Sequence, residues 1–253
     1  MDLHWYILVA LGLVAFAAGL VDSIAGGGGL LTMPALLWTG LPTNLALGSN
    51  KGQSVFGSGM ALLRYAHSPL LDRRRAMVAV LPGLAGATLG VYLLMNVSSK
   101  ALTPLVMAML TGVAIFMIFY RPPHSRPPLA KDRLWAALPI AFLIAAYDGF
   151  FGPGTGTFLI LAYALVFHDP LDAASANAKV VNFASNLASM VIFAANGLIV
   201  WKVALPMAAG QASGAWVGAH LTIRNGRAFV RYVVLVISLA LITRLAWQMW
   251  YGG

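Results

Sequence analysis

The chain has 253 residues, of which 60% are apolar and only 9% are charged, and its mean hydropathy is +0.83. Soluble domains carry roughly 25% charged residues, so this composition excludes an ordinary water-soluble domain. A net charge of +9 would suggest a nucleic-acid partner in a soluble protein. Here the basic residues fall in short connections between apolar stretches, which is typical of residues that orient membrane segments, and we expect no nucleic-acid partner.

Apolar segments long enough to cross a bilayer, which takes roughly 20 residues, follow one another along the chain. The first starts near an N-terminus without the positive charge of a signal peptide, so we interpret it as a membrane segment. Two stretches, 29–40 and 154–167, are too short to cross, and each follows a glycine-rich break. The long segments are 4–21, 45–66, 76–95, 102–120, 134–151, 173–195, 200–222 and 228–250.

This pattern predicts an all-α polytopic membrane protein with about eight long transmembrane helices and two short broken or re-entrant helices. The basic connections predict its orientation. Residues 64–75, the Pro-rich segment 121–133 and residues 224–231 hold eleven of the sixteen Lys and Arg residues. The positive-inside rule makes these three connections cytoplasmic and leaves both termini on the non-cytoplasmic side.

Two halves of the chain repeat the same polar pattern. Asp22 and Asp148 each precede a glycine-rich break by four residues and are 126 positions apart (148 − 22). A lysine followed by small polar residues at i+3 and i+7 also occurs twice, with a shift of 128 positions. The two sets are Lys51, Ser54 and Ser58, and Lys179, Asn182 and Asn186.

The charges do not follow this repeat, because the triplet Arg73–Arg75 corresponds to the nearly neutral residues 201–203. With an odd number of segments in each half, the second half enters the membrane from the opposite side. We therefore predict an inverted-topology repeat, which is a transporter architecture. Its parts are a first repeat at 1–120, a cytoplasmic linker at 121–133 and a second repeat at 134–253.

Each glycine-rich break opens a short helix whose first amides lack internal partners. Such a terminus carries roughly half a positive charge and binds anions. Because the halves are inverted, the two termini should meet near the membrane midplane and form a site for a small anion. The alternative is that the glycines only allow a tight re-entrant turn. The candidate residues are Gly26, Gly27, Gly28, Gly29, Gly152, Gly154 and Thr155.

Four ionisable residues, Asp22, Lys51, Asp148 and Lys179, lie within apolar stretches. A charge at the bilayer centre costs roughly 2.5–3.5 kcal/mol, so four without a purpose would be expensive. As two Asp–Lys pairs they are neutral. The alternatives are that the lysines extend to the membrane surface and that the aspartates cap loop amides. The polar faces that extend from the two lysines add Ser54, Asn182 and Asn186 as candidates.

Enzyme signatures are missing from the sequence. No His-Glu-x-x-His motif, serine-hydrolase elbow or GxxxxGK[ST] phosphate loop occurs. We expect a protein that is not an enzyme and has no metal or cofactor.

Four segments resemble the sulfite exporter TauE/SafE family of membrane permeases. They are DSIAGGGGL at 22–30, GSNKGQS at 48–54, YDGFFGPGTG at 147–156 and KVVNFASNL at 179–187. The resemblance covers the chain from about residue 10 to 245. It implies transport of a small sulfur-containing anion, such as sulfite, sulfoacetate or another organosulfonate, across a bacterial inner or plasma membrane.

We therefore expect a secondary transporter that works by alternating access. The anion would bind the helix N-termini and the lysines, with Asn182 and Asn186 as neutral donors. Asp22 and Asp148 would hold the lysines, order the loops or carry a coupling proton. An inside-negative potential favours export of an anion, by roughly 2.3 kcal/mol per charge per 100 mV. A proton- or cation-coupled carrier of another small anion or metabolite and an anion channel stay open, as does the oligomeric state.

Overall fold

A computed structural model of the protein describes residues 4–119 and 131–251, apart from the side chains of 99, 114, 117–119, 131–133 and 234–251. Every regular element in these ranges is helical, which confirms the all-α prediction. A 3₁₀ helix, Lys131–Ala136, precedes α6. The α-helices are α1 (Trp5–Ala25), α2 (Gly29–Trp38), α3 (Thr43–Ala66), α4 (Arg73–Met95), α5 (Ser99–Phe119), α6 (Ala137–Phe150), α7 (Thr155–Val166), α8 (Leu171–Ala195) and α9 (Trp201–Tyr251).

Several helices are apolar enough for a lipid environment. In the described ranges, α1, α4 and α8 combine at least 18 residues with the hydropathy of a membrane span. Shorter apolar helices lie at 29–38, 100–113, 134–150 and 155–166. A multi-pass membrane protein is thereby supported, and the two short helices match the two short stretches that the sequence predicts. The number of eight spans stays a prediction.

One predicted connection is shorter in the structure than the sequence suggests. Segments 200–222 and 228–250 correspond to the two helical parts of α9, which are separated by a break of the backbone at Gly226 with φ 69° and ψ −165°. Glycine adopts this positive φ without a steric penalty, so a single residue replaces the predicted connection. The predicted linker lies outside the described residues except for 131–133, which begin the 3₁₀ helix. The boundaries of the two predicted repeats stay predictions.

Glycines allow two pairs of helices to pack with their backbones in contact. A Cβ atom built on Gly90 of α4 would lie 2.7 Å from the backbone nitrogen of Phe150 in α6. A Cβ on Gly214 of α9 would lie 2.8 Å from the carbonyl carbon of Phe16 in α1. Real Cβ atoms essentially never approach so closely. These glycines hold α6 and α1, the helices that lead into the two glycine-rich breaks, against α4 and α9.

Arg75 joins two connections at one end of the molecule. Its Nη1 lies 2.5 Å from Asp169 Oδ2, and its guanidinium carbon lies 4.0 Å from the centre of the Phe167 ring. Asn177 of α8 accepts a hydrogen bond from Asp72 N at 2.9 Å and donates one to Asp169 at 3.3 Å. Burial raises the pKa of Asp169 above its usual range, although Arg75 lowers it. The α3–α4 and α7–α8 connections are therefore tied together.

We expect Gly90→Ala to lower the free energy of unfolding by about 1–3 kcal/mol, because the added methyl group overpacks the contact between α4 and α6. The matched control is Gly112→Ala, since a Cβ on Gly112 meets nothing within 4 Å. Thermal unfolding in detergent, followed by tryptophan fluorescence, measures both. Equal losses of stability in the two variants would contradict the close approach.

Candidate functional site

The two glycine-rich breaks lie in direct contact with each other. A Cβ on Gly29 would lie 2.9 Å from Pro153 Cα, and a Cβ on Gly156 would lie 2.8 Å from Gly26 Cα. Thr157 Oγ1 also donates a hydrogen bond to Ala25 O at 3.2 Å. The N-termini of α2 and α7 therefore meet, as the sequence predicts.

Positive φ angles produce the breaks. Gly26 and Gly27 have φ of 76° and 85°, and Gly152 and Gly154 have φ of 99° and 87°. Residues with a Cβ adopt this region only at a steric cost. Each long helix can therefore stop and a new helix start within a few residues. The amides of Leu30, Leu31 and Thr155 donate to the carbonyl oxygens of Gly27, Gly28 and Gly152. The amides of Gly29 and Gly156 are therefore the candidates to bind an anion.

The two short helices lead away from their meeting point toward opposite ends of the molecule. Leu36, near the end of α2, belongs to a core cluster with Phe193, near the C-terminal end of α8. Tyr163, near the end of α7, belongs to a second cluster with Leu171, the first residue of α8. The end of α2 leads within five residues into the start of α3, whereas Asp169, just after α7, pairs with Arg75 just beyond the end of α3. Because the 24 residues of α3 span about 36 Å, the far ends of α2 and α7 are well separated.

Two buried ion pairs surround this meeting point. Lys51 Nζ lies 2.8 Å from Asp148 Oδ1, and Lys179 Nζ lies 2.7 Å from Asp22 Oδ2. Lys51 and Asp148 are each 3% exposed, and Lys179 is 0% exposed. Neither lysine reaches the surface, which excludes the alternative that they extend to the membrane interface. Each pair joins a lysine on α3 or α8 to an aspartate beside the glycine break in the other half of the chain.

Hydrogen bonds connect the first ion pair to the polar face of α8. Lys51 Nζ donates to Asn186 Oδ1 at 3.2 Å, and Asn186 Nδ2 donates to Asn182 Oδ1 at 2.7 Å. The hydroxyl of Ser185 donates to Asp148 Oδ2. The carboxylate and the ammonium group are thus held by neutral partners as well as by each other.

The second pair is bound more tightly to the backbone. Lys179 Nζ donates to the carbonyl oxygen of Asp22 at 2.5 Å as well as to its carboxylate. Asp22 Oδ1 accepts a hydrogen bond from Gly28 N at 3.3 Å. Asp22 therefore caps the glycine-rich loop, as one alternative from the sequence proposes, and also neutralises a lysine.

A small polar cavity lies where the breaks and the first ion pair meet. The sequence predicts ten of its thirteen lining residues as site residues. The lining comprises Asp22, Gly29, Asn50, Lys51, Ser54, Asp148, Gly152, Gly154, Thr155, Gly156, Asn182, Asn186 and Gln211.

Four predicted site residues do not line this cavity. Gly26, Gly27 and Gly28 form the loop behind Gly29, and Gly26 packs against the start of α7. Lys179 is enclosed behind Asp22, which faces the cavity in its place. The cation on the cavity lining is therefore Lys51.

Three lining residues, Asn50, Gly156 and Gln211, are absent from the predicted site. Gly156 and Asn50 lie within recognised motifs. Gln211 is a single polar side chain in the apolar stretch 203–212, and its isolation is the signal that could have identified it. Among the described residues, no three His, Cys, Asp or Glu side chains are grouped so as to hold a metal ion.

The chain matches the family model described as Sulfite exporter TauE/SafE over residues 11–245. A probable membrane transporter protein of Sinorhizobium sp. is 36% identical over 247 residues, which cover 96% of this chain and 94% of that protein. One from Haemophilus influenzae is 34% identical over 255 residues, 99% of each chain. One from Escherichia coli is 29% identical over 242 residues, 93% of this chain and 88% of that protein. No solved structure matches the chain.

We expect Lys179→Met to lower the free energy of unfolding by about 3–5 kcal/mol, because it leaves the charge of Asp22 without its partner. The double variant Lys179→Met/Asp22→Asn should recover most of this loss, since no unpaired charge remains. Unfolding in detergent measures both, with Lys100→Met as the control because Lys100 is exposed. A double variant as unstable as the single one would show that the ion pair is not the cause.

Proposed function

Because the chain belongs to the sulfite exporter TauE/SafE family, we propose that this membrane transporter exports a small sulfur-containing anion by alternating access. The candidate substrates are sulfite, sulfoacetate and other organosulfonates. The observation that carries the proposal is the cavity in which two helix N-termini and the ammonium group of Lys51 face one space. The family to which the chain belongs suggests a sulfur-containing anion, and the geometry of the cavity independently suggests an anion.

The electrostatics of the cavity favour an anion. The two aspartates and two lysines sum to zero charge. The N-termini of α2 and α7 each contribute roughly half a positive charge, which leaves the cavity mildly positive. Lys51 and the amides of Gly29 and Gly156 would bind the anion's oxygens, and Asn182 would add a neutral donor.

Repeated contacts support alternating access. The pairs Asp22–Lys179 and Lys51–Asp148 exchange roles between the halves, and α2 and α7 lead toward opposite ends. The α1–α9 and α4–α6 contacts are both made through glycines. An inverted repeat with these contacts lets one half rock against the other around a fixed site, which opens the cavity to each side in turn.

Packing at one end supports the proposed orientation in an inner membrane. Ala79, Ala136 and Val230 each lie within a few residues of one of the three basic segments, and all belong to one core cluster. Gly86 meets Phe142 and Gly90 meets Phe150, so α4 and α6 run parallel and begin at the same end. A Cβ on Gly226 would lie 3.7 Å from Asp172, near the Arg75–Asp169 pair. The basic segments thus share an end of the molecule, which the positive-inside rule assigns to the cytoplasm. We accordingly propose that both termini lie on the other side.

Asp148 is the proposed site of proton coupling. Its Oδ1 lies 2.8 Å from Lys51 Nζ, so an incoming anion competes with this carboxylate for the same ammonium group. Protonation of Asp148 would release Lys51 to the anion, and loss of this proton when the anion leaves would restore the Lys51–Asp148 pair. Lys179, enclosed with Asp22, would hold the loop rather than contact the anion.

We expect Lys51→Met to reduce sulfite flux in proteoliposomes to the level of protein-free vesicles, because the cavity loses its ammonium group. The double variant Lys51→Met/Asp148→Asn should be equally inactive although it leaves no unpaired charge, which separates anion binding from stability. Lys202→Met, which changes an exposed lysine, is the control. Wild-type flux should saturate with sulfite concentration, whereas a channel would not. Unchanged flux in a folded double variant would overturn the role of Lys51.

If Asp148 carries the coupling proton, Asp148→Asn should abolish the response of flux to an imposed pH gradient, which the wild type should show. Asp72→Asn is the matched control, because Asp72 caps α4 at an exposed position and asparagine caps equally well. Flux of sulfite under imposed pH gradients gives both profiles. If Asp148→Asn keeps the wild-type profile, Asp148 does not carry the coupling proton and has only a structural role.

A further inference from the structure

One wall of the cavity carries uncharged hydrogen-bonding groups that the ion pairs do not use. Asn50 and Gln211 line the cavity, and each is 3% exposed. Gln211 Oε1 is buried and has no hydrogen-bond partner. Buried polar atoms in proteins are nearly always satisfied, so an unpaired amide beside a binding cavity points to a ligand group.

The neighbours of Asn50 determine which of its atoms is available. Its Oδ1 accepts hydrogen bonds from Thr32 Oγ1 at 2.7 Å and from Gln53 Nε2 at 3.0 Å. Both lone-pair directions of this oxygen are thus used. The amide NH₂ of Asn50 is the group left to face the cavity, so Asn50 offers a donor while Gln211 offers an unpaired acceptor.

This neutral wall lies on a different side of α3 from the charged groups. Asn50 and Gly57 are seven residues apart and share one face of the helix, and a Cβ on Gly57 would lie 2.6 Å from Gln211 Cγ. Lys51 lies about 100° further round the helix, where it donates to Asn186 of α8. The cavity therefore has a charged side toward α8 and a neutral side toward α2 and α9.

The neutral wall has no counterpart in the other half of the chain. The charged residues recur after 126 or 128 positions, but at the same shifts every polar residue of this wall is replaced by an apolar residue or glycine. Thr32 corresponds to Phe158, Asn50 to Ala178, Gln53 to Val181, and Gln211 to Gly83. The wall therefore distinguishes one end of a bound substrate from the other.

We propose that Asn50 and Gln211 form a second subsite for a hydroxyl group, so that a short hydroxyalkanesulfonate is bound in preference to inorganic sulfite. This inference rests on the proposed function. A hydroxyl group accepts from Asn50 Nδ2 and donates to Gln211 Oε1, while the sulfonate faces Lys51. An unsubstituted alkyl chain leaves both amides unpaired. A second carboxylate, as in sulfoacetate, places its charge against Gln211 Oε1 and near Asp22.

The wild-type protein provides the first test. In proteoliposomes, 2-hydroxyethanesulfonate should have about 10-fold higher kcat/KM than ethanesulfonate, the factor expected for two neutral hydrogen bonds. It should also compete more strongly than sulfite or sulfoacetate for the site. Equal kcat/KM for the two sulfonates, or transport of sulfite alone, overturns the second subsite.

Variants of Gln211 provide the second test. Gln211→Leu and Gln211→Met should bring the ratio of kcat/KM for the two sulfonates to near 1 by lowering that of 2-hydroxyethanesulfonate only. Ser213→Ala, exposed on the same helix, should keep the wild-type ratio. A wild-type ratio in both folded Gln211 variants overturns the subsite, and Lys51-dependent flux of ethanesulfonate then leaves the proposed function standing. No flux of any sulfur anion overturns both proposals.

Discussion

The structure depends on two buried Asp–Lys pairs that connect distant parts of the chain. A lysine with no exposed surface is tolerated only with a partner, and Lys179 finds its partner in Asp22, 157 positions away. Lys51 and Asp148 make the equivalent pair. Breaking either pair leaves a charge in a poorly solvated interior, which costs far more than the pair itself contributes. The pairs therefore hold both glycine-rich breaks in one place.

The glycine-rich breaks make sense only together with these pairs. A broken helix exposes amides that lipid cannot satisfy, so it has to lie within protein or beside a polar cavity. Here each break is capped by its own aspartate or packed against the other break. Gly29 and Gly156, in the first turns of α2 and α7, line the cavity that Lys51 also lines. The amides that have to be kept out of lipid are thus the same groups that would bind the anion.

The two ends of the molecule are closed by different chemistry. At one end, Arg75 is paired with Asp169 and packed on the Phe167 ring. In the other half of the chain, Arg75 corresponds to Val203 and Asp169 corresponds to Leu41, each at a shift of 128 positions. Both of these residues are buried in an apolar cluster at the other end. An ion pair partly exposed to water responds to salt and pH, whereas apolar packing does not in the same way. The two ends of the proposed repeat therefore differ in what would open them.

Local features of the sequence were enough to predict the all-helical membrane class, the two short helices, the glycine-rich breaks and ten of the cavity residues. Hydropathy, glycine runs and charges within apolar stretches report on the cost of placing each segment in lipid, and that cost depends on the segment alone. The partners of a side chain depend on residues that are distant in the sequence. Which aspartate meets which lysine, why Lys51 rather than Lys179 faces the cavity, and why Gln211 joins it all depend on how α3, α8 and α9 pack. Helix packing alone brings residues 135 to 157 positions apart into hydrogen-bond distance.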